Sequence, residues 1–231
     1  MSYVVTISGS PAVRSRSTHL LGAAEATLHA RGIATRRIEP RDLPAEALLH
    51  ADFAHPAIRE ALEIVEHADA VVIATPLYKA AYSGLLKTFL DLLPQTGLTG
   101  KLVLPIATGG SLAHLLALDY ALKPVLSSLG ARHVLANVFA TDSEVPSGER
   151  GYETSPAAAE RLTQSIDQLA RVWFDQVELK AHRDRQSQAG AADDVPHAAH
   201  RTSHRAASAP ASGSAGQREV VLAPVPARCP T

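Results

Sequence analysis

A chain of 231 residues, 46% of them apolar, has material for one substantial core plus an extension, or for two small domains. Its formal net charge of −1 gives no global field favouring nucleic acid or an anionic membrane, and no window reaches the apolar length of a membrane span. The single cysteine, Cys229, excludes an internal disulfide, a zinc cluster or a redox pair; with no basic leader and apolar stretch at the start, the sequence reads as cytoplasmic.

Residues 3 to 8 form a short β-branched run that predicts a first buried strand. The polar decapeptide Gly9 to Thr18 joins it to a helix, because Leu20, Leu21, Ala24 and Leu28 then recur at helical spacing. A strand-to-helix connection of this kind suits an anion. Amides of the first helical turn, the positive end of the helix dipole, hydroxyls and two arginines can converge on one phosphate. The competing account is that Ser15 or Ser17 only caps the helix while Arg14 and Arg16 are solvated. The segment has neither the Gly-Lys-Ser/Thr of a Walker A loop nor Gly-x-Gly-x-x-Gly, so a monophosphate fits better than a triphosphate or pyrophosphate.

Residues 34 to 38 predict a second, more exposed strand, and 39 to 55 an irregular connection able to cover a site or a subunit contact. Pro56 opens a helix with Ile58, Leu62 and Val65 on one face. The uninterrupted apolar run 70 to 74 is a central strand, followed by the loop Thr75 to Ser83, with Ser83-Gly84 as the N-cap of a helix carrying Leu86, Phe89, Leu90 and Leu93. Residues 101 to 107 read as a fourth strand. Pro105 removes a ladder donor there and implies a bulge or a strand end. A second glycine-rich loop, Thr108 to Ser111, follows at the carboxyl end.

Residues 113 to 129 read as one long helix, too apolar all round to have a solvated side, hence a subunit contact. Pro124 denies the Tyr120 carbonyl its usual partner, so a kink or π-bulge is expected near Tyr120. Residues 133 to 140 complete five strands, Thr141 to Glu144 close the fifth at the same rim, and Ser155-Pro156 opens the last helix. Strict alternation of strands and helices gives an α/β, flavodoxin-like doubly wound five-stranded parallel sheet of order 2-1-3-4-5. The domain is expected to span 1–180. From Ala181 to Thr231 the composition turns to Ala, Ser, Pro, His and Arg, which predicts a disordered tail whose histidines are solvated rather than metal-bound.

Three loops therefore share one rim: 9–18, 75–83 and 108–114. Together they suit a planar heterocycle with one phosphate arm, as in FMN. A receiver domain would need acidic residues after the first strand and an aspartate ending the third, where this chain has Gly9-Ser10-Pro11 and Ala74-Thr75-Pro76. A serine hydrolase would need Gly-x-Ser-x-Gly, which Gly109-Gly110-Ser111-Leu112-Ala113 is not.

Gly9-Ser10-Pro11 with Ser15-Arg16-Ser17, the run Ala74 to Gly84, Leu104 to Gly110, and above all His114 to Pro124 resemble the NADPH-dependent FMN reductases, most closely the reductase component of two-component alkanesulfonate monooxygenase systems. The likeness covers residues 3 to about 175 and leaves the tail without a counterpart. It implies hydride transfer from NADPH to FMN and delivery of reduced flavin to a flavin-dependent alkanesulfonate monooxygenase that cleaves a carbon–sulfur bond. It further implies that Ser10, Arg16, Ser17 and Thr18 hold the phosphate, that Pro76, Leu77, Tyr78 and Ser83 line the ring and ribityl chain, and that Thr108, Gly109, Gly110 and Ser111 meet the pyrimidine edge. Tyr120 would lie in a π-helix at the interface of a homodimer or homotetramer. No catalytic side chain is assigned, since the flavin itself accepts the hydride; Lys79 and His114 are open between cofactor contact and structure. The alternatives are a quinone or azo reductase holding FMN tightly, and a flavodoxin-like electron carrier.

Overall fold

The computed structural model describes residues 2–149 and 151–193. Residues Met1–Ala189 make one compact unit, and of the second, Gly190–Thr231, only the end of a helix as far as Asp193 is described. The chain runs β1 (Val4–Ser8), α1 (Arg16–Ala30), β2 (Thr35–Ile38), a 3-10 turn (Pro40–Asp42), α2 (Ala45–Leu49), α3 (Pro56–His67), β3 (Ala70–Tyr78), β4 (Ala81–Tyr82), α4 (Gly84–Leu90) and β5 (Leu102–Gly109). A 3-10 turn (Leu112–His114), a π-helical turn (Leu118–Leu122), α5 (Lys123–Ser128), β6 (His133–Val134), β7 (Val138–Thr141), the small hairpin β8 (Ser147–Gly148) and β9 (Gly151–Tyr152), and α6 (Pro156–Asp193) follow.

The main sheet is parallel in the order β2-β1-β3-β5, with β6 and then β7 on the far side of β5. This is the expected 2-1-3-4-5 arrangement with the fifth strand in two pieces. Val103 pairs with Val134 and Ile106 with Val138, so two residues of β5 face three of its partner. The extra residue lies opposite Leu104-Pro105, where proline has no N–H for the ladder, which places the bulge anticipated from Pro105 in the neighbouring strand.

Side chains of the sheet alternate between two cores. Val5, Ile7, Val71, Ile73 and Val103 pack with Ile58, Leu86, Phe89 and Leu122 on one face, while Val4, Val72, Leu104 and Ile106 pack with Leu20, Leu21, Leu28, Leu162 and Ile166 on the other. The first core is covered by α2 to α5 and the second by α1 and α6. Burial on both faces explains why β1, β3 and β5 read as continuous apolar runs.

Four expectations change. The stretch from Thr75 to Tyr78 is not loop: β3 continues to Tyr78, since Thr75 and Pro76 still pair with Ala107 and Thr108 across the ladder. The chain then reverses through Lys79 and Ala80, at φ 50 and 61°, into β4, which pairs antiparallel with β3. The helix predicted over 113–129 is divided into the 3-10 turn, the π turn and α5. In the π turn the amide of Lys123 donates to the Leu118 carbonyl, an i to i−5 bond, immediately before Pro124. The irregular connection 39–55 contains a 3-10 turn and α2, and the last helix runs past Ala181 to Asp193; the expected tail beyond that point lies outside the described residues.

Candidate flavin site

Each of the three loops leaves the sheet at its carboxyl rim. The first descends tightly: the Gly9 amide donates to the Ala74 carbonyl at 2.7 Å, and a Cβ added at Gly9 would stand 2.9 Å from Leu86 Cβ and 3.2 Å from the Ala74 carbonyl oxygen. Only glycine lets the β1 loop lie that close to β3 and α4. Ser10, fully buried, accepts from the Ala12 amide at 3.2 Å and shapes the turn. Ser15 caps α1 by accepting from the Thr18 amide at 3.1 Å. Its hydroxyl also lies 2.7 Å from that of Thr18 and 3.2 Å from that of Ser17, and Thr18 reaches Ser8 at 3.0 Å. The cap thus consumes one first-turn amide, and the others, those of Arg16 and Ser17, lack an intrahelical partner as at any helix start.

Arg16 is held from several sides. Its Nε donates to the Val145 carbonyl at 2.9 Å, its guanidinium lies 5.4 Å from the centre of the Tyr152 ring, and Asp142 Oδ1 is 3.6 Å from Nε. The second and third loops meet it across a cleft of about 230 Å³ lined by Ala12, Arg14, Ser15, Arg16, Pro76, Leu77, Tyr78, Thr108, Gly109, Gly110, Asp142 and Tyr152. A larger hollow of about 710 Å³ lies at the opposite edge of the sheet, around Tyr3, Arg36, Asp69 and Lys180. Its lining pairs Lys180 with Asp69 at 3.5 Å and sets Arg36 over the Tyr3 ring, and it sits at the amino ends of the strands, away from the rim where α/β sheets take ligands.

The structure therefore brings together seven of the residues singled out in the sequence: Arg16, Pro76, Leu77, Tyr78, Thr108, Gly109 and Gly110. Ser10, Ser17 and Thr18 stand behind the cleft as the scaffold of the first loop. Ser83 does other work. It is 1% exposed, its hydroxyl donates to the Gly9 carbonyl and accepts from the Leu86 amide at 3.1 Å, and its own amide donates to Thr75 Oγ1 at 3.1 Å. Ser111 caps the 3-10 turn by accepting from Ala113 at 3.2 Å. Neither lines the cleft. Sequence reasoning did not assign Asp142 and Tyr152 to the site. Asp142 belongs to the segment closing the fifth strand at the same rim, a signal that was available; Tyr152 comes from the β8–β9 hairpin, whose two-residue strands leave no periodicity to read.

The residues present fit a flavin mononucleotide. The first loop offers a cation and helix-start amides to a phosphate. Leu77 and Tyr78 give a flat, partly exposed wall, and the backbone at Gly110 borders open space, since an added Cβ would meet nothing within 4 Å. Beside this loop the buried Nδ1 of His114 has no hydrogen-bond partner, and a Cβ on Gly109 would come within 3.4 Å of it. Among the described residues no cluster of histidine, cysteine and carboxylate side chains is placed to hold a metal ion, and no helix is long and apolar enough to cross a membrane.

A parallel sheet with a shallow cleft formed at its carboxyl rim by its first, third and fourth loops defines a flavodoxin-like flavin-binding domain. Comparison with known proteins makes this specific. Residues 2–145 match the family described as NADPH-dependent FMN reductase, and the chain belongs to that family of oxidoreductases. It is 49% identical over 166 residues to an FMN reductase (NADPH) of Pseudomonas putida KT2440, covering 71% of this chain and 84% of that one. It is 46% identical to an FMN reductase (NADPH) of Escherichia coli K12 over 164 residues, 71% of this chain and 86% of the relative. Among solved structures it resembles an apo NADH:FMN oxidoreductase, EMOB, with a TM-score of 0.67 and 44% identity over 74% of this chain and 89% of that chain.

Proposed function

We propose that this chain takes FMN as a passing substrate, reduces it with NADPH in the cytoplasm, and hands the reduced flavin to a flavin-dependent monooxygenase that desulfonates an organosulfonate. The observation that carries the reading is the convergence of the three rim loops on one shallow cleft. FMN supplies the hydride acceptor and NADPH the donor. The chain's own residues bind and orient: Arg16 and the start of α1 take the phosphate, Leu77 and Tyr78 support the ring, and the amides after Thr108 meet its polar edge. Tyr78 is 51% exposed, so a ring it supports stands at the open mouth of the cleft, where the nicotinamide can reach it. Alignment of donor and acceptor accounts for the rate without an acid–base dyad.

The oxygenase partner rests on the resemblance to alkanesulfonate reductase components. An NADH-dependent FMN reductase, SfnF, of Pseudomonas putida is 30% identical over 171 residues, 72% of this chain and 90% of that one. Because relatives carry both nicotinamides in their names, donor preference is part of the test. Assembly into a dimer or tetramer is supported by Leu112, Leu116 and Tyr120, exposed at 69, 57 and 78% on the segment holding the π turn. Sedimentation at micromolar concentration should show a species of two or four chains, and Tyr120→Asp should lower that mass.

The deciding experiment is steady-state oxidation of NADPH and NADH by purified protein with and without added FMN. Turnover should require added FMN and rise with it to saturation. Flavin that co-purifies through gel filtration, with a rate indifferent to added FMN, would identify a quinone or azo reductase instead; no nicotinamide oxidation would leave only an electron carrier.

A further inference from the structure

Among the described residues the cleft is lined by one carboxylate, and it stands beside Arg16, the arginine assigned above to the phosphate. Asp142 follows β7 directly; its amide donates to the Gly109 carbonyl at 3.1 Å, fixing the residue at the rim, and its Oδ1 is 3.6 Å from Arg16 Nε. Glu144, two residues on, is turned away, accepting from the Thr141 amide at 2.9 Å and from Arg161 at 2.6 Å. Among the described residues, the charged side chains lining the cleft are thus Arg14, Arg16 and Asp142, a sum of +1 set against a phosphomonoester of about −1.5 to −2 at neutral pH.

A carboxylate here is not needed to hold Arg16. The Val145 carbonyl already takes its Nε proton at 2.9 Å, and the Tyr152 ring lies 5.4 Å away on the guanidinium's face. What Asp142 adds is a competitor for the guanidinium when the cleft is free and a like charge beside the phosphate when it is filled. We propose that Asp142 sets the rate of flavin release: it lowers affinity for the phosphate arm, so that FMN leaves as a substrate rather than staying as a prosthetic group. This rests on the reading of FMN as a passing substrate. Asp142 is a specificity-determining residue, acting on phosphorylated flavin and not on riboflavin, whose ribityl chain ends in a neutral hydroxyl. The effect is modest because the Asp142 side chain is 49% exposed and partly screened.

The test is direct binding, without nicotinamide, by quenching of flavin fluorescence, with stopped-flow displacement for the off-rate. Asp142→Asn, nearly isosteric, should tighten FMN roughly five- to tenfold, mostly through slower release, and leave riboflavin within about twofold. Asp142→Ala should do the same, and thermal melting of both variants shows whether they are folded. Unchanged or weaker FMN binding by folded variants would overturn the proposal, since a carboxylate that merely positioned Arg16 would lose affinity on removal. Equal tightening of FMN and riboflavin would overturn it too, because the effect would then not act through the phosphate. Failure of the functional reading is separable. A wild-type protein that keeps FMN through gel filtration contradicts FMN as a passing substrate, whatever the substitution does to the off-rate.

Discussion

Ser83→Ala removes one hydroxyl oxygen and breaks two bonds in a buried place. The hydroxyl donates to the Gly9 carbonyl and accepts from the Leu86 amide at 3.1 Å, and the residue is 1% exposed. Losing an N-cap costs about 1 kcal/mol. Leaving a buried carbonyl unpaired costs roughly 1–3 kcal/mol more. The total is about 2–4 kcal/mol. Urea unfolding followed by far-UV circular dichroism reads it as a fall in midpoint of roughly 1–2 M, for an m-value of about 2 kcal/mol/M. Ser83→Thr keeps a hydroxyl and should recover much of the loss. An alanine variant whose midpoint stays within about 0.2 M of wild type would refute the reasoning, because Ser83 would then not be what ties the β1 loop to α4.

Lys79 and Ala80 both sit at positive φ, 50 and 61°, in the two-residue turn between β3 and β4; Ala80→Gly should stabilise by about 1 kcal/mol and raise the melting temperature, and no rise would mean that the turn stores no strain. Arg16→Ala should weaken FMN by about 1.5–3 kcal/mol, the scale of a hydrogen bond to a charged group, while riboflavin binding changes little; an equal loss for both flavins would take Arg16 out of phosphate recognition. Burial raises the Glu144 pKa, but the Thr141 amide and Arg161 outweigh it and hold the carboxyl below its ordinary range. A depressed folded value means stability fully present above the unfolded glutamate pKa and lost as pH falls through the folded one. Glu144→Gln should therefore destabilise at neutral pH and flatten the acid limb of a stability-against-pH curve; an unaltered acid limb would contradict it.

What the sequence reveals of this fold is what burial on two faces writes into it. β1, β3 and β5 are unbroken aliphatic runs because both sides of each strand meet a core, and α1 is announced by Leu20, Leu21, Ala24 and Leu28 lying on one face. The capping serines Ser15 and Ser83 and the helix-opening Pro56 are equally legible, since cap chemistry is local. Local stereochemistry also carried the π turn, whose wide ring closes just ahead of Pro124. The features that escaped depend on partners distant in sequence. The extra residue of the fifth strand lies opposite Leu104-Pro105 in its neighbour, and nothing between Val134 and Val138 announces that this strand carries it. The β3–β4 reversal uses Lys79-Ala80 where two-residue hairpins favour Asn-Gly, so the turn contradicts its own local preference. Such conflict beside a binding cleft is where locally inconsistent choices concentrate.

The same distinction divides the site. Residue types suited to a phosphate could be named from the loop after β1, but nothing local shows that Ser10 spends its hydroxyl on the protein. Ser10, Ser15 and Ser83 have the chemistry of ligands and the geometry of fasteners, each closing a turn or a helix start. Once they are committed, Arg14, Arg16 and backbone amides are what the first loop has left to offer a phosphate. The charge facing the ligand is then decided by Asp142, more than a hundred residues later in the chain. Hydroxyls build the shape of the cleft, and the charge along its lining is left to Arg14 and Arg16 opposed by Asp142. On the proposal that FMN passes through as a substrate, a cleft organised this way is suited to letting it go.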